Sequence, residues 1–242
     1  MPEPTSAPTP DPAAGAAAQE RPRRRQARGE RRIAQLLAAA ARVFCTSGYT
    51  AASTNSIARE AGVSPGTLYQ FFPNKEAIAV ELGDQLLTRW RETYGQALVP
   101  DHLGLPLDDL MDAVVDPLIQ FNRENPAFAV LMHGPDIPGK VTQEHDALHT
   151  SMLARVEEIL GEYLPSVPKA EIARVAQMLF TVFKAGLDLI LSAEPEERDA
   201  YTTELKRVLL RYVQPLVEDP SGSCRPAGAR PATGRPAGRP AG

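Results

Sequence analysis

The chain has 242 residues, 23% of them charged, a formal net charge of −4 and two cysteines, Cys45 and Cys224, a length that suits one substantial core or a small module joined to a larger one. The composition argues against a disulfide framework and against a membrane span, because Gln35 and Arg42 interrupt Ile33–Phe44 while Lys184 and Asp188 interrupt Leu179–Leu191. With no apolar run of signal-peptide type near the start, the expected location is the cytoplasm.

Residues 1–20 are rich in Pro and Ala and hold almost no large apolar side chain, so they cannot bury a core. Residues 21–32 follow as a basic arm, and residues 1–29 are read as a disordered extension. Charge divides sharply along the chain: ten bases and two acids lie between residues 21 and 75, against twelve bases and twenty-five acids between 76 and 219. A basic module on an acidic body implies that one end meets a polyanion. A merely solubilising arm is the plainer alternative.

Ile33, Leu36, Leu37, Ala40, Ala41 and Phe44 repeat at helical spacing and predict a first helix, stopped by Gly48. Ser53 and Thr54 cap a second helix running to about Ala61, which Gly62 ends in the left-handed conformation. Val63 can plug the angle that follows. Ser64 caps a third helix with Pro65 at its first position, where a missing N–H costs nothing. Eight residues, a three-residue turn and a short helix are the layout of a helix-turn-helix, whose second helix enters the DNA major groove. The small residues Pro65, Gly66 and Thr67 let that helix approach base edges. Thr67 offers a hydroxyl and a methyl, while Tyr69 and Gln70 can donate to phosphate or base. Leu68 and Phe72 are expected to face the core, and Lys75 is placed to hold a phosphate.

The stretch Arg31–Ile78 resembles the DNA-binding domain of the TetR/AcrR family of bacterial regulators. The resemblance rests on Ile57-Ala58, Ala61-Gly62-Val63-Ser64, Gly66-Thr67-Leu68-Tyr69 and Phe72-Pro73-Asn74-Lys75-Glu76. It implies phosphate contact by Ser53, Thr54, Tyr69 and Lys75, and base-edge or groove contact by Pro65, Gly66, Thr67 and Gln70. Phe71 departs from the pattern, standing where many members carry His or another polar residue, and is left at most an apolar contact with sugar or a thymine methyl. The family also implies an all-α fold in which a three-helix DNA-binding domain, residues 30–76, precedes a larger ligand-binding and dimerisation domain, residues 77–218. The connector between them would be Glu76–Gln96.

Beyond that module every segment reads as helix. Ile78, Leu82, Leu86, Trp90 and Tyr94 mark one, and Leu107 to Phe121 the next, with Pro117 expected to kink it. Further helices fit Ala127–Met132 and roughly Gln143–Tyr163. Residues 169–192 are apolar around much of the circumference and must be covered on more than one side. With residues 196–216, which open after Pro195, they suit a two-fold homodimer, a monomeric bundle being the alternative. Candidate effector-pocket residues are Trp90, Tyr94, Met111, Phe121, Phe128, Met132, Met152, Phe180 and Phe183. Core packing explains any one of them, but together they favour an apolar or aromatic small-molecule effector.

Other chemistry is weaker. His145 and His149 lie four apart, with Asp146 between and His133 upstream, but exposed polar positions explain them better than a metal does. Cys45 reads as a small buried apolar residue rather than a redox sensor. Neither a metal nor a cofactor is expected. No Gly-x-Ser-x-Gly elbow, phosphate-binding Gly-Lys-Ser/Thr loop or His-Glu-x-x-His occurs, which argues against an enzyme without excluding a helical one. The expected function is a repressor released from a palindromic operator by its effector. The alternative among DNA-binding proteins is an effector-independent organiser of many sites. Residues 219–242, with Arg-Pro-Ala-Gly-like units, are read as a disordered tail.

Overall fold

The structure, a computed structural model, describes residues 12–99, 102, 105–134 and 136–218. Among the described residues there are nine helices and no strand: α1 (Pro12–Ala51), α2 (Thr54–Glu60), α3 (Pro65–Tyr69), α4 (Lys75–Ala97), α5 (Leu107–Glu124), α6 (Pro126–His133), α7 (Gly139–Tyr163), α8 (Lys169–Ser192) and α9 (Arg198–Glu218). The all-α expectation holds. Helix α1 starts at Pro12, so residues 12–29, read as disordered extension, are helical; Ala, Arg, Gln and Glu, all strong helix formers, dominate them. The remainder of that extension, residues 1–11, and the 219–242 tail with Cys224 lie outside the described residues. Helix α5 runs through Pro117 as one element.

The helices form two compact units that cut across the linear domains. The first takes residues up to Glu92 together with Phe121–Leu148, and the second takes Thr93–Gln120 and the residues from His149 onward. In the first, Leu36, Leu37, Ala40 and Phe44 of α1, Ile57 and Ala58 of α2, Leu68 of α3 and Ile78 of α4 are all at most 2% exposed, with α1 against α2 and α2 against α3. Full burial of each large side chain contributes about 1.5 to 3 kcal/mol. Gly48, at φ 73° and ψ 165°, breaks α1 before its last residues, a conformation open to glycine alone. Helix α6 packs on α1, and Lys140 of α7 donates to Asp84 of α4 at 3.0 Å.

In the second unit, Leu160, Leu164 and Val167 pack against Ile172, Val175 and Ala176 of α8. Helices α8 and α9 lie close, with Gly186 against Leu205. Lys206 of α9 reaches Asp112 at 2.8 Å and Asp116 at 2.5 Å on α5. Partial burial lowers the Lys206 pKa, but the hydrogen bonds to both carboxylates outweigh it and hold the ammonium above its ordinary value. An 18-residue window of α8 has a mean hydropathy of 1.5, apolar enough to cross a membrane by length and composition alone, although Lys184 and Asp188 interrupt the apolar run as expected. Its apolar side chains serve several surfaces at once: the packed cluster, α9, and a face where Met178 and Leu189 stay exposed. Lys184 and Asp188 are too few to lower that average.

Candidate functional site

Local hydrogen bonding builds the helix-turn-helix from its own sequence. Ser53 takes an extended conformation, φ −134° and ψ 156°, and caps α2 reciprocally with Ser56. The Ser53 Oγ accepts from the Ser56 N–H at 3.1 Å, while Ser56 Oγ accepts from the Ser53 N–H at 3.0 Å. The far end closes with paired bonds from Gly62 N–H to the Arg59 carbonyl at 3.1 Å and from Val63 N–H to the Ala58 carbonyl at 3.0 Å. That pairing requires the left-handed φ of 66° which Gly62 supplies. Ser64 then caps α3, its Oγ accepting from Thr67 N–H at 3.1 Å, with Pro65 in the first turn.

The expected DNA contacts fall into distinct environments. Ser53, Pro65, Gly66 and Gln70 are exposed. A Cβ on Gly66 would meet nothing nearer than Ser64 Oγ at 3.9 Å, so the residue keeps that surface of α3 bare. Tyr69 is 51% exposed although Leu68 beside it is fully buried, and its hydroxyl lies 2.9 Å from Thr54 Oγ1. Two residues expected on the phosphate backbone, one from each helix, are thereby joined. The Thr67 hydroxyl sits 2.9 Å from Ser64 Oγ, within its own cap. Phe71 is half-buried. Lys75 stands apart from the others: its ammonium donates to the Tyr49 carbonyl at 2.8 Å and the Thr50 carbonyl at 3.1 Å, and lies 4.4 Å above the Tyr49 ring.

Several positioning residues escaped the sequence reading. Gln35 of α1 donates to the Ala61 carbonyl at 2.6 Å, and Arg42 pairs with Glu60 at 2.5 Å, so α1 grips the end of α2. Asn74 Oδ1 accepts from Ala77 N–H at 2.8 Å and caps α4. An Asn placed just before a helical run is the signal that could have revealed the last. Nothing local announces the first two, because their partners lie 26 and 18 residues away.

A second feature lies in the second unit. A cavity of about 120 Å³ is lined by Leu107, Leu110, Met111, Val114, Val115 and Leu118 of α5, by Met152, Val156, Ile159, Leu160 and Tyr163 of α7, and by side chains of α8 and α9. The α8 and α9 walls are Leu179, Phe180, Phe183, Leu209 and Val213. Tyr163 brings the one hydroxyl in this wall, and it donates to the backbone carbonyls of His102 at 3.1 Å and Leu105 at 3.4 Å. Burial pushes that phenol pKa up. An occupant would meet hydrocarbon and aromatic faces with no charged side chain.

Of the nine expected effector residues, Met111, Met152, Phe180 and Phe183 line this cavity. Trp90, Phe121 and Phe128 instead form a ring cluster in the first unit, with centroids 4.9 to 5.4 Å apart. Met132 is buried in that same unit. Tyr94, in the second unit, lies 3.3 Å from Ser151 Oγ beside a shallow recess with Arg155 and Glu158. The first unit has its own open groove, lined by residues of α1 together with Arg59, Glu60, Arg89 and Glu124.

His145 and His149 do not converge: the first packs edge-on to Phe128 and the second to Phe180. The His133 side chain lies outside the described residues. Among the described residues no three His, Cys, Asp or Glu side chains gather as a metal site. Cys45 is exposed rather than buried as expected, because it falls one position past Phe44, off the packed stripe. Partial burial still raises its thiol pKa, which disfavours the reactive thiolate.

Residues 36–82 match the family model described as bacterial regulatory proteins, tetR family, and residues 106–212 match the tetracyclin repressor-like C-terminal domain. The chain is 25% identical over 137 residues to the HTH-type transcriptional regulator YhgD of Bacillus subtilis, across 57% of this chain and 65% of that one. It is 43% identical over 68 residues to the HTH-type transcriptional regulator EthR of Mycolicibacterium smegmatis, across 27% of this chain and 31% of that one. The alignments thus span less than two thirds of either relative's length. Among solved structures, the transcriptional regulator FadR from Bacillus subtilis in complex with stearoyl-CoA superposes with a TM-score of 0.57 at 18% identity, covering 73% of this chain and 96% of that one.

Proposed function

The chain belongs to the TetR family of bacterial transcriptional regulators, and from that membership we propose that it is a homodimeric repressor released from a partly palindromic operator by a small apolar or aromatic effector. The observation that carries the DNA reading is the α2–α3 unit. Two serine caps and the left-handed Gly62 fix its angle, and the bare surface at Gly66 lies beside the joined hydroxyls of Thr54 and Tyr69. Ser53, Thr54 and Tyr69 take phosphates, and Pro65, Gly66, Thr67 and Gln70 face base edges. Lys75 acts on DNA by holding the end of α1 in place, with one ammonium hydrogen left for a phosphate.

The effector reading rests on the cavity between α5, α7, α8 and α9, whose lining offers no counter-charge. An occupant that favours reading helices spaced away from the roughly 34 to 36 Å between half-sites lowers operator affinity. Helix α4, which contributes residues to both units, is the proposed connector. The homodimer reading draws on α8 and α9, where Met178, Leu189, Tyr201, Val208 and Tyr212 are exposed. Burying such a set against a second copy is the common two-fold solution. The proposed location is the cytoplasm, and the function is regulation rather than catalysis.

The test is enrichment of duplexes from a random pool by the full chain, followed by titration of the enriched duplex against random duplex at two salt concentrations. Selective binding with a steep salt slope supports the regulator, and no binding to any duplex at low salt overturns it. Screening neutral apolar compounds against the enriched complex tests the effector arm. That arm fails if none changes affinity while Val114→Trp, which fills the cavity, leaves binding intact.

A further inference from the structure

Two hollows of the second unit share a wall. The apolar cavity, at about 120 Å³, falls below the roughly 300 to 1,000 Å³ of sites that take small molecules. Beside it lies the shallow recess of about 380 Å³, lined by Tyr94 and Leu98 near the end of α4 and by Ser151, Arg155 and Glu158 of α7. Leu98, 6% exposed, lines both. The cavity can bury apolar groups but is too small to hold a whole ligand, and the recess supplies the missing volume.

Helix α7 separates the two by chemistry. Ser151, Arg155 and Glu158 stand at helical spacing on one face and meet the recess. Met152, Val156 and Ile159 each follow by one residue, about 100° around the helix, and meet the cavity. A polar stripe and an apolar stripe thus run side by side along the same three turns.

The recess has a surplus of donors. Arg155 is 29% exposed and fixed in place, its Nε donating to the Leu98 carbonyl at 3.0 Å. Its Nη1 donates to Glu158 Oε2 at 2.8 Å. A guanidinium carries five N–H donors, so three remain beyond those two bonds. The Tyr94 and Ser151 hydroxyls lie 3.3 Å apart. One proton serves that bond, which leaves the other O–H to donate. Glu158 is the only carboxylate in the lining of the recess. It is 64% exposed, and ion pairs so open to water are weak. A planar guanidinium fork matches a carboxylate better than any other common head group.

We infer that the second unit takes an amphipathic acid, whose hydrocarbon chain enters the cavity and whose carboxylate is held in the recess by Arg155 and the Tyr94–Ser151 hydroxyl pair. Leu98 lies between chain and head. Glu158 is the competitor that the incoming carboxylate displaces from Arg155. The inference rests on the effector reading of the cavity and narrows it from apolar compounds in general to those ending in an acid.

The test is calorimetric titration of the full chain at neutral pH with octanoate and with octan-1-ol, a chain of the same length without the charge. Octanoate is expected to bind about tenfold more tightly. Arg155→Gln removes that advantage and leaves octan-1-ol binding unchanged, which also shows that the site is still folded. Glu158→Gln tightens octanoate by about two- to fivefold and leaves octan-1-ol alone. Val114→Trp, which fills the cavity, weakens both. Equal affinity of the unaltered chain for the two probes, with both weakened by Val114→Trp, overturns the inference and leaves the cavity reading standing. An octanoate advantage that survives Arg155→Gln also overturns it, because another group then holds the head. So does loss of octanoate binding in Glu158→Gln, which would make Glu158 a support for the guanidinium rather than a competitor. If neither probe binds, or Val114→Trp affects neither, the effector reading of the cavity falls and the inference falls with it.

Discussion

Replacing Gly186 by Ala sets two effects of known size against each other. Gly186 sits inside α8, where Ala is favoured over Gly by about 1 kcal/mol from helix propensity alone. A Cβ there would lie 2.5 Å from Leu205 Cδ1, 2.9 Å from Cδ2 and 3.0 Å from Cγ. Leu205 is 6% exposed, so it has little room to swing away. Overpacking of this kind costs about 1 to 3 kcal/mol. The clash should win: a net loss of up to about 2 kcal/mol, lowering Tm by up to roughly 4 to 8 °C for a chain of this size. Urea unfolding followed by circular dichroism measures it. Leu205→Ala alone should cost about 2 to 5 kcal/mol. The double variant should cost less than the sum by at least about 1 kcal/mol, because the new methyl occupies part of the vacated space. If Gly186→Ala stabilises by about 1 kcal/mol and the two changes add, α8 and α9 do not approach as closely as described and the reasoning is wrong.

Gly62→Ala should cost about 1 to 2 kcal/mol although no atom lies within 4 Å of the added methyl, since only the left-handed φ of 66° is at stake; Gly62→Asn should recover part of it in the same unfolding assay. Lys206 has a folded pKa above its ordinary value of 10.5, so its ion pairs stabilise fully at neutral pH and fade as pH rises through the folded value. The unaltered chain should therefore lose more stability than Lys206→Met on titration through that alkaline range, by about 0.5 to 1 kcal/mol. Identical pH profiles for the two would contradict the pairing with Asp112 and Asp116. Tyr69→Phe removes the hydroxyl shared with Thr54 and should weaken enriched and random duplexes by a similar factor. A change in base preference measured by competition would remove Tyr69 from the phosphate contacts.

What the sequence made legible was whatever local chemistry determines. The limits of α8, residues 169 to 192, follow from periodicity and flanking prolines, and the caps at Ser53 and Ser64 and the turn at Gly62 are single-residue decisions. The N-terminal turns of α1 were misread because a Pro-rich start hid the Ala-rich run after it. The pocket residues were harder for another reason. Periodicity says that Trp90 and Phe180 are covered, but not by what. Trp90 is covered by Phe121 and Phe128, whereas Phe180 meets His149 and the cavity. Lys75 shows the same limit: a lone cation after a turn suggests an anion, yet its nearest acceptors are two carbonyls of a helix end some 25 residues earlier.

That ammonium also changes what kind of object the intervening chain is. With Lys75 fastened to Tyr49 and Thr50, the segment from α1 to α4 is a loop tied at its base. Holding the ends of a loop of about 25 residues together costs on the order of 3 kcal/mol of chain entropy, which folding has already met before any duplex arrives. A reading surface prepared in this way loses little further freedom on docking. Its amides should also not fray one helix at a time. Hydrogen exchange across residues 53–72 should rise and fall together, as a single cooperative unit whose latch is the grip of Lys75 on the end of α1.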